Sequence, residues 1–209
     1  MTKTRILVWF VAWVLQIILV GVMLPSNFLQ KQIESERRMM AEWMGMPAVN
    51  RLVTVSNDTF DESFVNTGAV AASYRLVPNR EEKENSTGLT DLGGQTWSYI
   101  EGRLEILWLT VYQAIQRFHT LALWFPYLLP IMIPAVIHGM CVRAIKKVSY
   151  GYASPVLYHS AGHALALVLM LPLFYITSPI SIHPIAIFFW GIAVSITIVV
   201  MTSNVQKQI

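Results

Sequence analysis

The sequence predicts an all-α integral membrane protein with four transmembrane helices and a mostly helical extracytoplasmic insertion between the first two. Composition is the first indication, because the 209 residues are 55% hydrophobic and 13% charged, with a mean hydropathy of +0.50. The acidic residues are the second, since all twelve lie between Glu34 and Glu105. Long uncharged runs are the third, because charged side chains are costly inside a bilayer.

The first transmembrane helix is predicted over Ile6–Leu24, within a first region of residues 1–25. The run is uncharged, about 19 residues long and therefore sufficient to span a bilayer. It follows Lys3 and Arg5 and ends at Pro25. A cleaved signal peptide is the alternative, but no small-residue cleavage site follows the run. Because basic residues favour the cytoplasmic side, we expect the N-terminus inside.

The hydrophilic segment 26–120 is predicted to be the extracytoplasmic insertion. A helix is expected from Ser26 to about Met44, because apolar residues recur on one face and Gly45 and Pro47 follow. Its charged residues are expected on the solvated face, namely Lys31, Glu34, Glu36, Arg37 and Arg38. A second, short helix is expected over Ser56–Val65.

The end of the insertion is predicted to lead into the membrane without a break. A loop is expected over Val77–Gly94, which is charged and then glycine-rich. From Gln95 to Phe118, apolar residues recur at every third or fourth position, which indicates a helix. Arg117 is expected on the polar face of this helix, which runs on into the second transmembrane helix.

The segment 121–209 is predicted to be a three-helix membrane domain. Its helices are expected over Leu121–Val142, Ser154–Thr177 and Pro184–Thr202. Serine followed by proline is a favoured helix start, which supports the second of these boundaries.

Three prolines lie in the first helix of this membrane domain. They are spaced by four residues and therefore share one side of the helix: Pro126, Pro130 and Pro134. Proline removes a backbone donor and bends a helix. The pattern favours a kinked helix packed against its neighbours, and a gate or translocation path is the alternative.

The histidines form no recognisable catalytic site. His159 and His163 share a helix face, but no carboxylate lies anywhere in the membrane half. We therefore expect no catalytic residue, no metal and no cofactor; a metal- or haem-binding membrane protein is retained as an alternative. Direct nucleic-acid binding is not expected either, because the net charge of +3 reflects the exclusion of carboxylates from the membrane part.

The loop 143–154 is the best-marked contact surface. By the positive-inside rule it faces the cytoplasm. Its candidate interaction residues are Arg143, Lys146, Lys147, Tyr150, Tyr158 and His159. Small residues at four-residue spacing are candidates for close helix packing between the third and fourth spans, namely Gly162, Ala166, Gly191 and Ser195. We expect contacts with membrane lipids and a homo- or hetero-oligomer.

The segment around this loop carries a resemblance to a known family. Its elements are His138-Gly139, Arg143-Ala144-Ile145-Lys146-Lys147, Gly151, Ala153-Ser154, Tyr158-His159 and Pro179–Pro184. In these elements the chain resembles the integrating-conjugative-element membrane proteins, small inner-membrane proteins encoded with conjugative transfer genes. One departure is His138, where the family pattern has an acidic residue before the glycine.

The resemblance implies a non-enzymatic component of a bacterial conjugative DNA-transfer, or type IV secretion, system. It implies a partner or anchor of the coupling ATPase or of other secretion subunits. The location it implies is the bacterial inner membrane. The positive-inside count predicts both termini in the cytoplasm and residues 26–120 on the outer side, which is then periplasmic. The three prolines suggest an alternative function, a small transport or channel subunit.

Overall fold

A computed structural model of the chain describes residues 3–75, 91–149 and 151–205. Every regular element in these ranges is a helix: α1 (Lys3–Met23), α2 (Ser26–Met44), α3 (Met46–Phe60), a π-helical turn (Asp61–Val65), α4 (Ala69–Arg75), α5 (Asp91–Val148), α6 (Pro155–Thr177) and α7 (Ile185–Ser203). The predicted all-α class is therefore confirmed. Most of the predicted loop Val77–Gly94, up to position 90, lies outside the described residues. Its last four residues, 91–94, form the start of α5.

The chain forms two compact units. The membrane unit comprises Met1–Leu7, Thr120–Tyr175 and Ile182–Ile209, and the insertion unit comprises Val8–His119 and Ile176–Ser181. We had predicted boundaries after residues 25 and 120. The structure groups most of α1 and part of the α6–α7 connection with the insertion unit.

Within the described residues, three helices are long and apolar enough to cross a membrane. They are α5 over Tyr99–Val148, α6 and α7, and a shorter apolar stretch lies in α1 at Val8–Ile17. These spans support the predicted helical membrane protein, whereas the fourth span stays a prediction. α5 is 58 residues long and contains all three prolines, so the predicted unbroken passage into the second span is confirmed.

One predicted boundary in the insertion was wrong. We expected the second helix of the insertion to begin at Ser56, but α3 begins at Met46, directly after Gly45. Gly45 has a φ of 80°, which reverses the chain within a single residue. Pro47 lies in the first turn of α3, where its missing N–H costs nothing. The proline therefore starts the next helix and does not merely end α2.

The insertion unit has an apolar core at the α2–α3 hairpin. Its fully buried members are Met40, Val49 and Leu52. Farther along α3, Phe60 packs edge-on against Trp108 of α5, with ring centroids 6.1 Å apart, and Phe64 packs on the same indole at 5.6 Å. These contacts attach α3 and the π-helical turn to the first half of α5.

The membrane unit packs through glycines of α5 and α7. Gly139 lies so close to α7 that a Cβ there would overlap Thr202 and approach the Val199 backbone at 3.3 Å. A Cβ at Gly191 would lie 2.6 Å from Leu128 of α5. Such close approach is typical of helix pairs in membranes.

The predicted packing residues take different positions from those expected. Gly191 approaches α5, not α6, and Ser195 is buried one turn farther along α7. A Cβ at Gly162 of α6 would meet nothing within 4 Å, and Ala166 is half-buried. One contact between α6 and α7 joins the indole Nε1 of Trp190 to the Val168 carbonyl at 2.8 Å.

Candidate functional site

The loop 143–154 is organised by Asn204, directly after α7. Its Oδ1 accepts a hydrogen bond from Lys146 Nζ at 3.0 Å and from the Ser154 N–H at 3.4 Å. Its Nδ2 donates to the Val200 carbonyl at 2.8 Å. Asn204 is buried and joins both ends of the loop to α7. Asn204 follows the last predicted helix, and nothing in the local sequence pattern marked it.

The three predicted basic residues occupy different environments. Lys146 is half-buried, and its aliphatic part packs against Gly151, where a Cβ would lie 3.2 Å from Lys146 Cγ. Arg143 is also half-buried, and its Nε has no hydrogen-bond partner among the described residues. Lys147 is exposed. The loop therefore presents one exposed cation of the three predicted.

The start of α6 carries the remaining predicted interaction residues. Ser154 Oγ accepts a hydrogen bond from the Leu157 N–H at 3.3 Å, so the predicted serine cap is present. The rings of Tyr158 and His159 pack edge-on, with centroids 5.5 Å apart, and His159 is exposed. Tyr150 lies outside the described residues.

An apolar surface surrounds the loop. Ala144, Ile145, Val148 and Ser149 line an open groove of about 440 Å³ at the end of α5. Ile145 and Val148 are 64% and 82% exposed. Farther along the chain, three more apolar or aromatic side chains are exposed, namely Tyr152 in the loop and Val156 and Leu157 at the start of α6. The sequence had marked the loop for its basic residues, whereas its exposed surface is largely apolar.

A buried ion pair lies in the insertion unit, where we had expected solvated charges. Arg117 and Glu36 are 1% and 2% exposed, and Arg117 Nε lies 3.1 Å from Glu36 Oε2. The guanidinium also donates to the carbonyls of Ser178 and Ile180 in the α6–α7 connection. Gln32 Oε1 accepts a hydrogen bond from the Ser181 N–H at 2.9 Å. These contacts attach the connection to α2 and α5.

A second polar cluster extends this network along α5. Arg37 donates to Tyr112 Oη at 2.7 Å and to Gln116 Oε1 at 3.2 Å. Tyr112 in turn donates to Asn57 Oδ1 at 2.7 Å, which links α5 to α3. Charge-assisted bonds of this kind are stronger than neutral ones and specify one helix register. Arg37 was expected on the solvated face, but it is half-buried.

His119 binds two hydroxyl groups of α3. Ser56 Oγ lies 3.3 Å from Nδ1, and Thr59 Oγ1 lies 3.4 Å from Nε2. Both hydroxyls also donate to backbone carbonyls one turn earlier.

At α4, burial raises the pKa of the Tyr74 hydroxyl, and the carboxylates of Glu105 and Glu101 raise it further.

The described residues contain no group of three His, Cys, Asp or Glu side chains that could hold a metal ion. His183 instead accepts a hydrogen bond from the Ile185 N–H at 3.2 Å, at the start of α7. The assembled polar groups are thus arranged for helix attachment, and the exposed surface at the loop is the candidate for contact with a partner.

Comparison with known protein families gives a match over most of the chain. The model of the family described as IncC plasmid conjugative DNA transfer protein DtrJ-like matches residues 20–206. Neither a curated protein nor a solved structure matches the chain. The resemblance to a family of conjugative elements is thereby confirmed, since the match covers the insertion, the three candidate spans and the loop. The chain therefore belongs to the DtrJ-like family of conjugative DNA transfer proteins.

Proposed function

We propose that this chain is a non-enzymatic inner-membrane component of a type IV secretion system, and that its loop 143–154 binds the coupling ATPase or another secretion subunit. Membership of a conjugative transfer family supports the general role. In this arrangement the loop and the C-terminus are cytoplasmic, and residues 26–120 are periplasmic. A fourth span formed by α1 would place the N-terminus in the cytoplasm as well.

The observation that carries the proposal is the exposure of Ile145 and Val148. The part of α5 from Thr120 to Val142 is about 34 Å long at 1.5 Å per residue. That length already crosses a hydrocarbon core of about 30 Å. In our proposal the span begins at Thr120, so that Ile145 and Val148 lie beyond the core, where lipid tails do not cover them. Exposed apolar side chains grouped in this way are typical of protein contact sites.

Charge adds a preference for the kind of partner. Lys147 is exposed beside this apolar surface, and no carboxylate follows Glu105 in the chain. The loop therefore attracts an acidic surface and repels a basic one. Charges at the edge of an interface act mainly on the association rate and on specificity.

Replacing Ile145 by serine tests the proposal by co-purification with the coupling ATPase from detergent-solubilised membranes. Burying an isoleucine contributes about 1.5–3 kcal/mol, so its loss should weaken the complex by roughly ten- to a hundredfold. Lys147→Gln should weaken it less, with an effect that shrinks as salt is raised.

Matched controls are available in the insertion unit. Ile180 is 61% exposed, against 64% for Ile145, and Lys31 is exposed like Lys147. Ile180→Ser and Lys31→Gln should leave the complex intact. Equal co-purification of the Ile145→Ser and Ile180→Ser variants would show that the loop is not part of the interface. The general role in conjugation would not be contradicted by this result.

A further inference from the structure

The guanidinium of Arg143 is only partly satisfied within the membrane unit. Its side chain is half-buried, and its Nε is buried without a hydrogen-bond partner among the described residues. Lys146, one turn later, differs, because its Nζ donates to Asn204 Oδ1 at 3.0 Å. Burying a charged donor without an acceptor costs free energy, and such donors in native proteins usually have a partner. Arg143 Nε can therefore bind an acceptor that does not belong to the described part of the chain.

The charge around Arg143 selects an anion as that acceptor. Lys146 and Lys147 lie within the next turn of α5, and the sequence of the membrane unit contains no Asp or Glu. Lys147 follows Arg143 by four residues and so shares its side of the helix. Since no carboxylate side chain of the same unit can neutralise these cations, an anion that binds here comes from outside the unit.

Contacts within the membrane unit place Arg143 near the end of its helices. Gly139 of α5 lies against Thr202, in the last turn of α7. Lys146 binds Asn204, which directly follows α7. Arg143 lies between these two contacts along α5, so it is level with the end of α7.

The same end of the unit is an edge of the candidate spans. α6 begins there, because the Ser154 N–H donates to Asn204 Oδ1 at 3.4 Å. Its 23 residues extend over about 34 Å at 1.5 Å per residue. That length crosses a hydrocarbon core of about 30 Å. Because α6 starts and α7 ends here, Arg143 lies where both candidate spans leave the membrane, at the depth of the lipid head groups.

We propose that Arg143 binds the phosphate of an anionic phospholipid, with Lys147 as a second positive charge beside it. The planar guanidinium matches phosphate oxygens with two parallel hydrogen bonds. An arginine at a helix end buries its aliphatic part and keeps its charged end among the head groups, and basic groups beside membrane spans bind anionic head groups. A free phosphate offers the same oxygens, but lipid phosphates are concentrated at this depth, which favours the lipid.

This lipid site is separate from the surface proposed to bind a secretion subunit. At about 100° per residue, Ile145 and Val148 project from the side of α5 opposite Arg143. The inference therefore depends on α6 and α7 spanning a membrane, and not on the proposed function. A purified protein without any partner is sufficient to test it.

Native mass spectrometry of the full chain in detergent, titrated with phosphatidylglycerol, tests the site. Arg143→Gln should weaken binding of the first lipid by about tenfold or more, because charge-assisted hydrogen bonds are lost. Lys147→Gln should weaken it by a smaller factor, since an ammonium lacks the guanidinium fork. Arg51→Gln is the matched control, because Arg51 is an exposed arginine of the insertion unit and its loss changes the net charge equally. This control should bind the lipid as the parent does.

Equal binding by Arg143→Gln and Arg51→Gln would overturn the inference. Two further ligands identify the source of the phosphate. Phosphatidylcholine, which has a phosphate but no net charge, should bind more weakly than phosphatidylglycerol, and equal binding would contradict an anionic lipid. An excess of inorganic phosphate should leave the lipid bound, whereas displacement of the lipid would assign the site to a soluble phosphate and overturn the lipid site.

A second variant covers the case in which Arg143→Gln does not fold, as judged by its circular dichroism. Arg143→Lys keeps the positive charge and removes the guanidinium fork, so binding of phosphatidylglycerol should fall severalfold. Unchanged binding by Arg143→Lys would show that the guanidinium does not hold the phosphate, and would also overturn the inference.

Discussion

The insertion unit and the membrane unit hold their helices together by different means. In the insertion unit, polar side chains from positions far apart in the sequence meet in buried contacts, as Arg117 and Glu36 do across 81 positions. In the membrane unit, α5 and α7 meet at glycines, through direct contact of Gly139 and Gly191 with the facing helix. The difference reflects the solvent. Next to water, apolar burial assembles helices and polar pairs fix their register, whereas in lipid close packing must replace the hydrophobic effect.

The helix that tests this comparison most strongly is α1. Its apolar sequence predicts a fourth span, whereas the structure divides its residues between the two units. Residues 3–7 group with the membrane unit, and residues 8–23 group with the insertion unit.

The largest expected effect concerns the side of the membrane on which the N-terminus lies. With Cys141 replaced by serine and α1 as a fourth span, Thr2→Cys should react with a membrane-impermeant maleimide only after the membrane is permeabilised, as Tyr152→Cys in the loop 143–154 should. Val65→Cys, in the insertion, should react in intact cells. If Thr2→Cys reacts in intact cells like Val65→Cys, α1 is not a fourth span.

The next effect concerns the buried ion pair. Glu36→Ala leaves the Arg117 guanidinium buried without its carboxylate, and breaking such a pair typically costs about 3–5 kcal/mol. We expect a loss of that size in the free energy of unfolding of the insertion unit, measured by denaturant-induced loss of helical circular dichroism in detergent.

The control is an ion pair on the same helix. Glu34 and Arg38 lie 3.0 Å apart, with side chains 65% and 73% exposed. Glu34→Ala should cost about 0.5 kcal/mol or less, because water and salt screen this pair. Equal losses for the two variants would show that the pair of Glu36 and Arg117 does not hold the unit together.

Some of these structural features could be predicted from the sequence, and others could not. The end of α2 and the starts of α6 and α7 were predictable from the sequence. Gly45 marks the first of these boundaries, the Ser154 cap the second and Pro184 the third. The burial of Glu36 and Arg117 was not, since an amphipathic pattern assigns charged residues to water and only tertiary contact pairs them. Asn204 was missed for the same reason.

The smallest effects distinguish glycines that touch another helix from one that does not. Gly139→Ala should destabilise the membrane unit by about 1–3 kcal/mol, because the added Cβ meets the backbone and a branched side chain of α7. Gly191→Ala should cost less, because the end of the Leu128 side chain can rotate away. Gly162→Ala should be neutral or slightly stabilising, since its surroundings are open and alanine favours a helix.

Thermal unfolding in detergent measures this order directly. If Gly162→Ala is the most damaging of the three, a surface of α6 that is open in the single chain is covered in the assembled protein. The membrane unit would then use its predicted small residues to bind a partner helix, and glycine contacts would mark assembly as well as internal packing. If the order is Gly139, Gly191 and then Gly162, the contacts within the chain account for the stability of the unit.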